Sequence, residues 1–280
     1  WKAQTAEQVA MVAEHLVKTY GVDALEFDDN NFFMAEARVA EFCERIIVMG
    51  LNIGWWGEAR IDTMMKYSDR TWGLMRDAGL RMVFLGAESG SDETLARMNK
   101  GGTASAEKTL EIASKMKWYG IVPEMSFVLG NPPDPETDAR ATMDFIRKVK
   151  QVNPATEIIM YMYTPVPLAG ELYDQAKAEG FAFPETLEEW IGPEWQEFSQ
   201  RRSTHVPWLQ DPIQRRIQNF QWVLNAYYPT MTDITMSACK RAALRAVSAW
   251  RYHLGVYALP YEVKVVHRVL AYQRPETSGF

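Results

Sequence analysis

Residues 80–102 read L-R-M-V-F-L-G-A-E-S-G-S-D-E-T-L-A-R-M-N-K-G-G. The apolar run ends on Glu88, and Ser89, Gly90 and Ser91 follow. A buried strand that needed only a turn would have no use for a carboxylate at the first bend. The stretch therefore reads as a strand that carries polar groups to the mouth of a site. A helix comes next, with Ser91 as its cap and Asp92 and Glu93 at the positive end of its dipole. Lys100, Gly101 and Gly102 read as a turn.

The same alternation recurs on both sides. Thr5 and Gln8 form a capping-box signature, and Val9, Val12, Leu16 and Val17 give that helix an apolar side until Gly21. A short strand over 24–29 precedes a helix over 34–49 with Val39, Phe42, Ile46 and Ile47 turned inward. A strand over 51–60, a helix over 62–78 stopped by Gly79, and the strand over 80–88 complete the upstream half. Downstream, helices over 105–118 and 135–151 alternate with strands over 121–130 and 157–163. Helix-linked strands of this spacing make a parallel sheet with right-handed crossovers. The strands end in F-D-D-N-N, G-E-A-R, G-A-E-S-G-S, L-G-N-P-P and Y-T-P-V-P. In an α/β barrel such ends share the face where active sites are built. Beyond 165 the pattern changes to Pro-punctuated helices over 211–228, 231–254 and 260–272, so 181–280 reads as a helical appendage.

Thirty basic against 36 acidic residues give a net charge of −6, with no basic excess to track nucleic acid. The only cysteines, Cys43 and Cys239, match no metal-ligand spacing and argue against a disulfide scaffold. No apolar run approaches the roughly 20 residues of a membrane span, and no signal peptide opens the chain, so a cytoplasmic location is expected. Trp1 stands almost at the start of a helical pattern, and the true N-terminus is expected upstream of it.

D-D-N-N-F (28–32), G-A-E-S-G-S-D-E-T-L-A-R-M-N-K-G (86–101), F-V-L-G-N-P-P-D-P-E (127–136) and Y-T-P-V-P-L-A-G-E-L-Y (163–173) resemble, in that order, the core of the radical S-adenosylmethionine (SAM) enzymes. The branch is the one that often carries an N-terminal cobalamin-binding domain. The resemblance covers 1–180. It implies a partial TIM-type (β/α)6 barrel in which the five strands here are the second to sixth. The family's first strand leads into C-x-x-x-C-x-x-C, which holds three irons of a 4Fe-4S cluster while the fourth takes SAM. This sequence has no such triad, which the resemblance places before Trp1. What it implies for the whole protein is one-electron reduction of SAM to a 5′-deoxyadenosyl radical acting on a small-molecule substrate. Cobalamin would add methyl transfer or rearrangement, and an electron donor such as a flavodoxin or ferredoxin would be the partner.

Carried onto these residues, the resemblance puts Asp28, Asp29 and Asn30 near the methionine amino group, although they equally suit an Asx cap for the helix near Phe33. Arg60 would fork onto the SAM carboxylate, or brace the rim by pairing with Glu58. Glu88 and Ser89 are expected at the ribose hydroxyls or amino group, with Gly90 bending the backbone close. Val128, Gly130 and Asn131 are expected to support adenine through backbone amides and an apolar floor. Tyr163 and Pro165 would lie beside adenine and substrate. Tyr161 and Tyr163 share a face by strand alternation, which core packing would also explain. His205 and Trp208 lie on the connection to the helical appendage, where a lone histidine reads as structural or solvated. Two rivals remain: a cluster-less α/β barrel that binds a nucleotide-like ligand or partner protein, and a barrel lyase or aldolase, which no strand-end lysine supports.

Overall fold

The computed structural model describes residues 3–98, 104–165, 170–193, 195–196, 206–209, 211–230 and 236–270, the side chain of Leu172 excepted. The turn at 100–102 and His205 lie outside them. Helix and strand alternate as α1 (Ala6–Tyr20), β1 (Ala24–Phe27), α2 (Glu36–Val48), β2 (Gly54–Ala59), α3 (Ile61–Met64), α4 (Asp69–Asp77), β3 (Leu80–Glu88), α5 (Asp92–Arg97) and α6 (Ala106–Tyr119). They continue through β4 (Val122–Leu129), α7 (Pro135–Val152) and β5 (Glu157–Met162). Helices α8 (Glu171–Ala178), α9 (Leu187–Trp190), α10 (Asp211–Tyr227), α11 (Ala238–Leu254) and α12 (Tyr261–Leu270) follow. The five strands form one sheet in the order β1-β2-β3-β4-β5, with β1/β2 and β2/β3 parallel. This is the α/β class expected, with C-terminal helices.

The chain divides into two compact units. One comprises Trp1–Ala87, Thr103–Ser126 and Val149–Thr156, and the other Glu88–Gly102, Phe127–Lys148 and Glu157–Phe280. The first is built around aromatic residues. Phe27 stacks on Phe32 at 4.2 Å, Phe33 stacks on Trp55 at 5.9 Å, and Phe42 meets Trp55 edge-on. The Trp55 indole N–H donates to the Ala78 carbonyl at 3.0 Å, so the ring is buried without stranding its polar atom.

Local chemistry sets the boundaries. Thr5 and Gln8 close the expected capping box on α1. The helix expected over 62–78 is two helices, because Ser68 caps Thr71 and starts α4 afresh. Glu36 fixes that corner, accepting from the Ser68 amide (2.8 Å), the Ser68 hydroxyl (2.7 Å) and the Thr71 hydroxyl (2.7 Å). These bonds, led by the Ser68 hydroxyl, hold the Glu36 carboxyl below the usual carboxylate range.

Two apolar faces differ from expectation. Ile47 on α2 is 42% exposed, and Ala40 and Cys43 take inward positions instead. On α1 the buried residues are Ala6, Val9, Ala10 and Ala13, while Val12 is 51% exposed. Val12 and Leu16, with Leu25 and Phe27 of β1, line a groove of about 460 Å³ beside β1. Among the described residues β1 is an edge strand paired only with β2, and its residues are exposed or half-buried. The helix periodicity was legible, but the groove that leaves part of its apolar stripe uncovered was not.

Candidate functional site

The strand ends carry two groups of polar residues, one in each unit. In the first unit, β1 runs out into exposed Asp28, Asp29 and Asn30. The chain then folds back so that the Phe32 amide donates to the Glu58 carbonyl at 3.1 Å. Gly57 permits the close approach, since a Cβ there would stand 3.2 Å from the Phe27 Cβ and 3.3 Å from the Phe27 carbonyl oxygen. The β1/β2 register pairs Phe27 with Gly57, and one further step sets Asp28 beside Glu58. Burial pushes the Glu58 carboxyl above the usual carboxylate range, and the charges of Asp28 and Glu26 add to the effect. The group offers negative charge to a cation.

An Asx cap is not what Asp28–Asn30 provide. Helix α2 begins only at Glu36, and its N-cap, Ala35, makes no side-chain hydrogen bond. Arg60 directs its fork at Asp62, with Nε–Oδ1 and Nη2–Oδ2 both at 3.0 Å, so the guanidinium is committed at the start of α3.

The raised Glu58 pKa has a consequence for stability. A carboxyl whose folded pKa exceeds its unfolded value favours folding while protonated, and that advantage is lost as the pH rises through the unfolded and then the folded pKa. Glu58→Gln is therefore expected to melt higher than wild type at pH 7. The difference should shrink as the pH falls below about 4, the ordinary glutamate pKa. Equal melting temperatures at pH 7 would show that the crowded charges carry no penalty.

In the second unit the hub is Asp138 on the first turn of α7, only 6% exposed. Its Oδ2 accepts from the Gly130 amide (2.9 Å), the Asn131 amide (3.0 Å) and the Asn131 side-chain amide (3.0 Å), and its Oδ1 from the Thr94 hydroxyl (3.0 Å). One helical turn on, the Thr142 hydroxyl accepts from the Gly90 amide at 3.2 Å and lies 3.3 Å from the Ser89 hydroxyl. Asp138 and Thr142 thus hold the loops after β3 and β4 to one face of α7.

This network corrects one expectation. The backbone amides of Gly130 and Asn131 are not available to read a base, because Asp138 takes both. The chain bends at Gly90, as expected. Glu88 itself adopts φ +64°, whereas Gly90 is needed because a Cβ would stand 2.3 Å from the Phe145 Cβ and 3.1 Å from the Ala141 carbonyl oxygen. Ser89 is fully buried, and its hydroxyl accepts from the Ser91 amide at 3.1 Å, so its part is to position the loop. Ser91 caps α5 as expected.

Asn131 is wholly buried. Its side-chain nitrogen donates to Asp138 and to the Val128 carbonyl at 3.0 Å, while its Oδ1 is buried without a partner among the described residues. An orphaned buried acceptor is costly, so it points to a donor supplied from elsewhere. Gly130, at φ +81°, carries Leu209 directly against it: a Cβ would stand 2.5 Å from the Leu209 Cδ1. Tyr163 is buried beside Trp208, their rings 6.0 Å apart, and burial pushes its hydroxyl up to about 12. Pro165 is buried. Trp208 forms an apolar cluster with Tyr163, Phe181 and Leu209.

Asp138 escaped sequence reading. The signal was present as Asp138 and Thr142, polar residues on the face of α7 that also carries apolar Phe145, directly after L-G-N-P-P.

No family model matches the chain. It is 27% identical over 149 residues to an uncharacterised methyltransferase of Pyrococcus horikoshii, a match covering 53% of this chain and 31% of the relative. It is 26% identical over 185 residues to an anaerobic magnesium-protoporphyrin IX monomethyl ester cyclase of Rubrivivax gelatinosus, covering 65% of this chain and 32% of the relative. The matches thus span about a third of the relatives' length. Among solved structures, the cobalamin-dependent SAM radical enzyme OxsB matches with a TM-score of 0.59 at 14% identity, covering 96% of this chain and 46% of that one. The radical SAM methyltransferase TsrM of Kitasatospora setae matches with a TM-score of 0.58 at 15% identity, covering 95% of this chain and 56% of that one. The fold of this chain is thus similar to that of these radical SAM enzymes, and its own sequence has no cysteine triad.

Proposed function

We propose that the chain is the SAM-binding part of a radical SAM enzyme, with residues 1–180 as its barrel portion and 181–280 as a helical region. The observation that carries the reading is Glu88. A non-glycine residue at φ +64° costs about 1 kcal/mol or more, and such strain gathers at ligand sites. Holding a carboxylate there at the end of β3 suits ribose hydroxyls or an ammonium. The groove beside β1 supports an additional strand on that free edge, covering Val12 and Leu16, from sequence outside these residues.

The residues fit the two cofactors differently. Two cysteines cannot hold a cluster that needs three thiolates, and Cys43 lies in the apolar core, where burial pushes its thiol well above the usual range. No step is assigned to a cluster on this chain. In the second unit, Asn131 Oδ1, without a partner among the described residues, suits the exocyclic amine of adenine and Val128 an apolar floor; in the first unit, taken by itself, the Asp28 and Glu58 carboxylates suit an ammonium. When bound and reduced, SAM supplies a 5′-deoxyadenosyl radical, chemistry that belongs to the cofactor. The chain's part is to orient and to exclude water. Asp138, Thr142 and Ser89 fix the loops, and Leu209 must move off Gly130 for a ligand to reach Asn131. Methyl transfer or a related rearrangement, with cobalamin as second cofactor and a small molecule as substrate, agrees with relatives named as a methyltransferase and a cyclase.

Glu88→Gly separates binding from folding. Glycine relieves the strain, so thermal stability should hold or rise, while the affinity for S-adenosylhomocysteine, followed by titration calorimetry, should fall about tenfold. Unchanged affinity would remove Glu88 from the site.

A further inference from the structure

Helix α7 has two polar faces. Asp138, Thr142 and Phe145 lie toward the strand-end loops, and Arg140, Asp144 and Arg147 fall on the opposite side at helical spacing. That second face borders a separate cleft of about 730 Å³, closed by Arg215 and Arg216 of α10 and by the loop from Gly255 to Leu259. Its volume is in the range of small-molecule sites.

The charge of this cleft runs against that of the chain, which is net acidic. Four arginines line it, opposed by Asp144 within the lining. Glu136, beside it, takes both Arg140 (3.1 Å) and Arg216 (2.7 Å) on one carboxylate oxygen. Four positive charges against two negative leave an excess of two, the charge of a phosphate dianion. Arg147 donates to the Tyr252 carbonyl through one nitrogen and stacks over the Tyr252 ring, while Arg215 is exposed with no partner among the described residues.

The opposite wall is rigid. Arg251, 7% exposed, donates to the carbonyls of Val256 (3.2 Å), Ala258 (2.6 Å) and Leu259 (3.1 Å) and ties the loop to Glu262. Leu259 is held at φ +47°; it and Glu88 are the only non-glycine residues of positive φ among those described. Loop residue Tyr257 has a buried hydroxyl with no partner among the described residues. A strained, braced loop lining the same cleft as Arg147 and the exposed Arg215 is the arrangement of a preformed site.

We propose that this cleft binds an organic phosphate, its phosphoryl oxygens on Arg147 and Arg215 and its apolar part against Val256 and Leu259. Guanidinium forks match phosphate oxygens in pairs, which a solvated surface charge does not require.

The probe is inorganic pyrophosphate, titrated calorimetrically into the full chain at constant ionic strength, with citrate as a polycarboxylate control. Saturable binding is expected, with Arg215→Ala weakening it about tenfold and Arg215→Lys, which keeps charge but loses the fork, falling between. Tyr257→Phe should weaken it less. Arg215 is exposed, so unchanged melting curves will show that the variants remain folded. Absence of saturable binding up to about 10 mM, where even weak sites fill, overturns the proposal. So does Arg215→Ala binding as wild type, or citrate binding as tightly as pyrophosphate.

Discussion

Asp138→Ala is expected to lower stability by at least about 3 kcal/mol, because it strands the donors that the carboxylate now accepts. Those are the backbone amides of Gly130 and Asn131, the Asn131 side-chain amide and the Thr94 hydroxyl. Each loses a charge-assisted bond in a place where water cannot replace it. For a chain of this size the loss corresponds to a melting transition roughly 10 °C lower, read by calorimetry. Asp138→Asn keeps the shape but presents an NH₂ group to some of these donors, and should fall between the alanine variant and wild type. A loss below about 1 kcal/mol in the alanine variant would mean that the two loops are held by other contacts.

Gly90→Ala is the second large effect. The added Cβ would meet the Phe145 Cβ at 2.3 Å and the Ala141 carbonyl oxygen at 3.1 Å, so helix and loop must part. Overpacking of this kind costs about 1–3 kcal/mol, and the upper end is expected here because one obstacle is backbone. Trimming Phe145 to alanine leaves its Cβ in place and should not rescue the variant. Urea unfolding of the single and double variants checks this. Gly90→Ala melting within about 0.5 kcal/mol of wild type would refute the close contact.

The two predictions mark how far the sequence could be read. β3 ends at Glu88 as the apolar run indicated, and Ser91 caps α5, because both depend on neighbours in the chain. The carboxylate hub depends on residues 44 apart in sequence, Thr94 and Asp138, which no local pattern brings together. Gly90 sits at the expected bend, but why it must be glycine was hidden for the same reason. Its requirement is steric and comes from α7, while the turn strain falls on Glu88. At the first unit's strand ends the acidic residues were legible as a group, but the commitment of Arg60 to Asp62 was not, since either Glu58 or a ligand offered an equally good carboxylate. On α1, the period predicted the face but not the open groove that leaves Val12 uncovered.

The central claim is that this chain forms the SAM-binding part of a protein whose cluster ligands lie in other sequence. The direct test is electron paramagnetic resonance of the full-length polypeptide, reconstituted anaerobically with iron and sulfide and then reduced. The account predicts about four irons per chain, a reduced-cluster signal that changes shape on adding SAM, and a need for about tenfold more SAM to produce that change in Glu88→Gly. A full-length protein that takes up no iron, or whose cluster signal is indifferent to SAM, would contradict it.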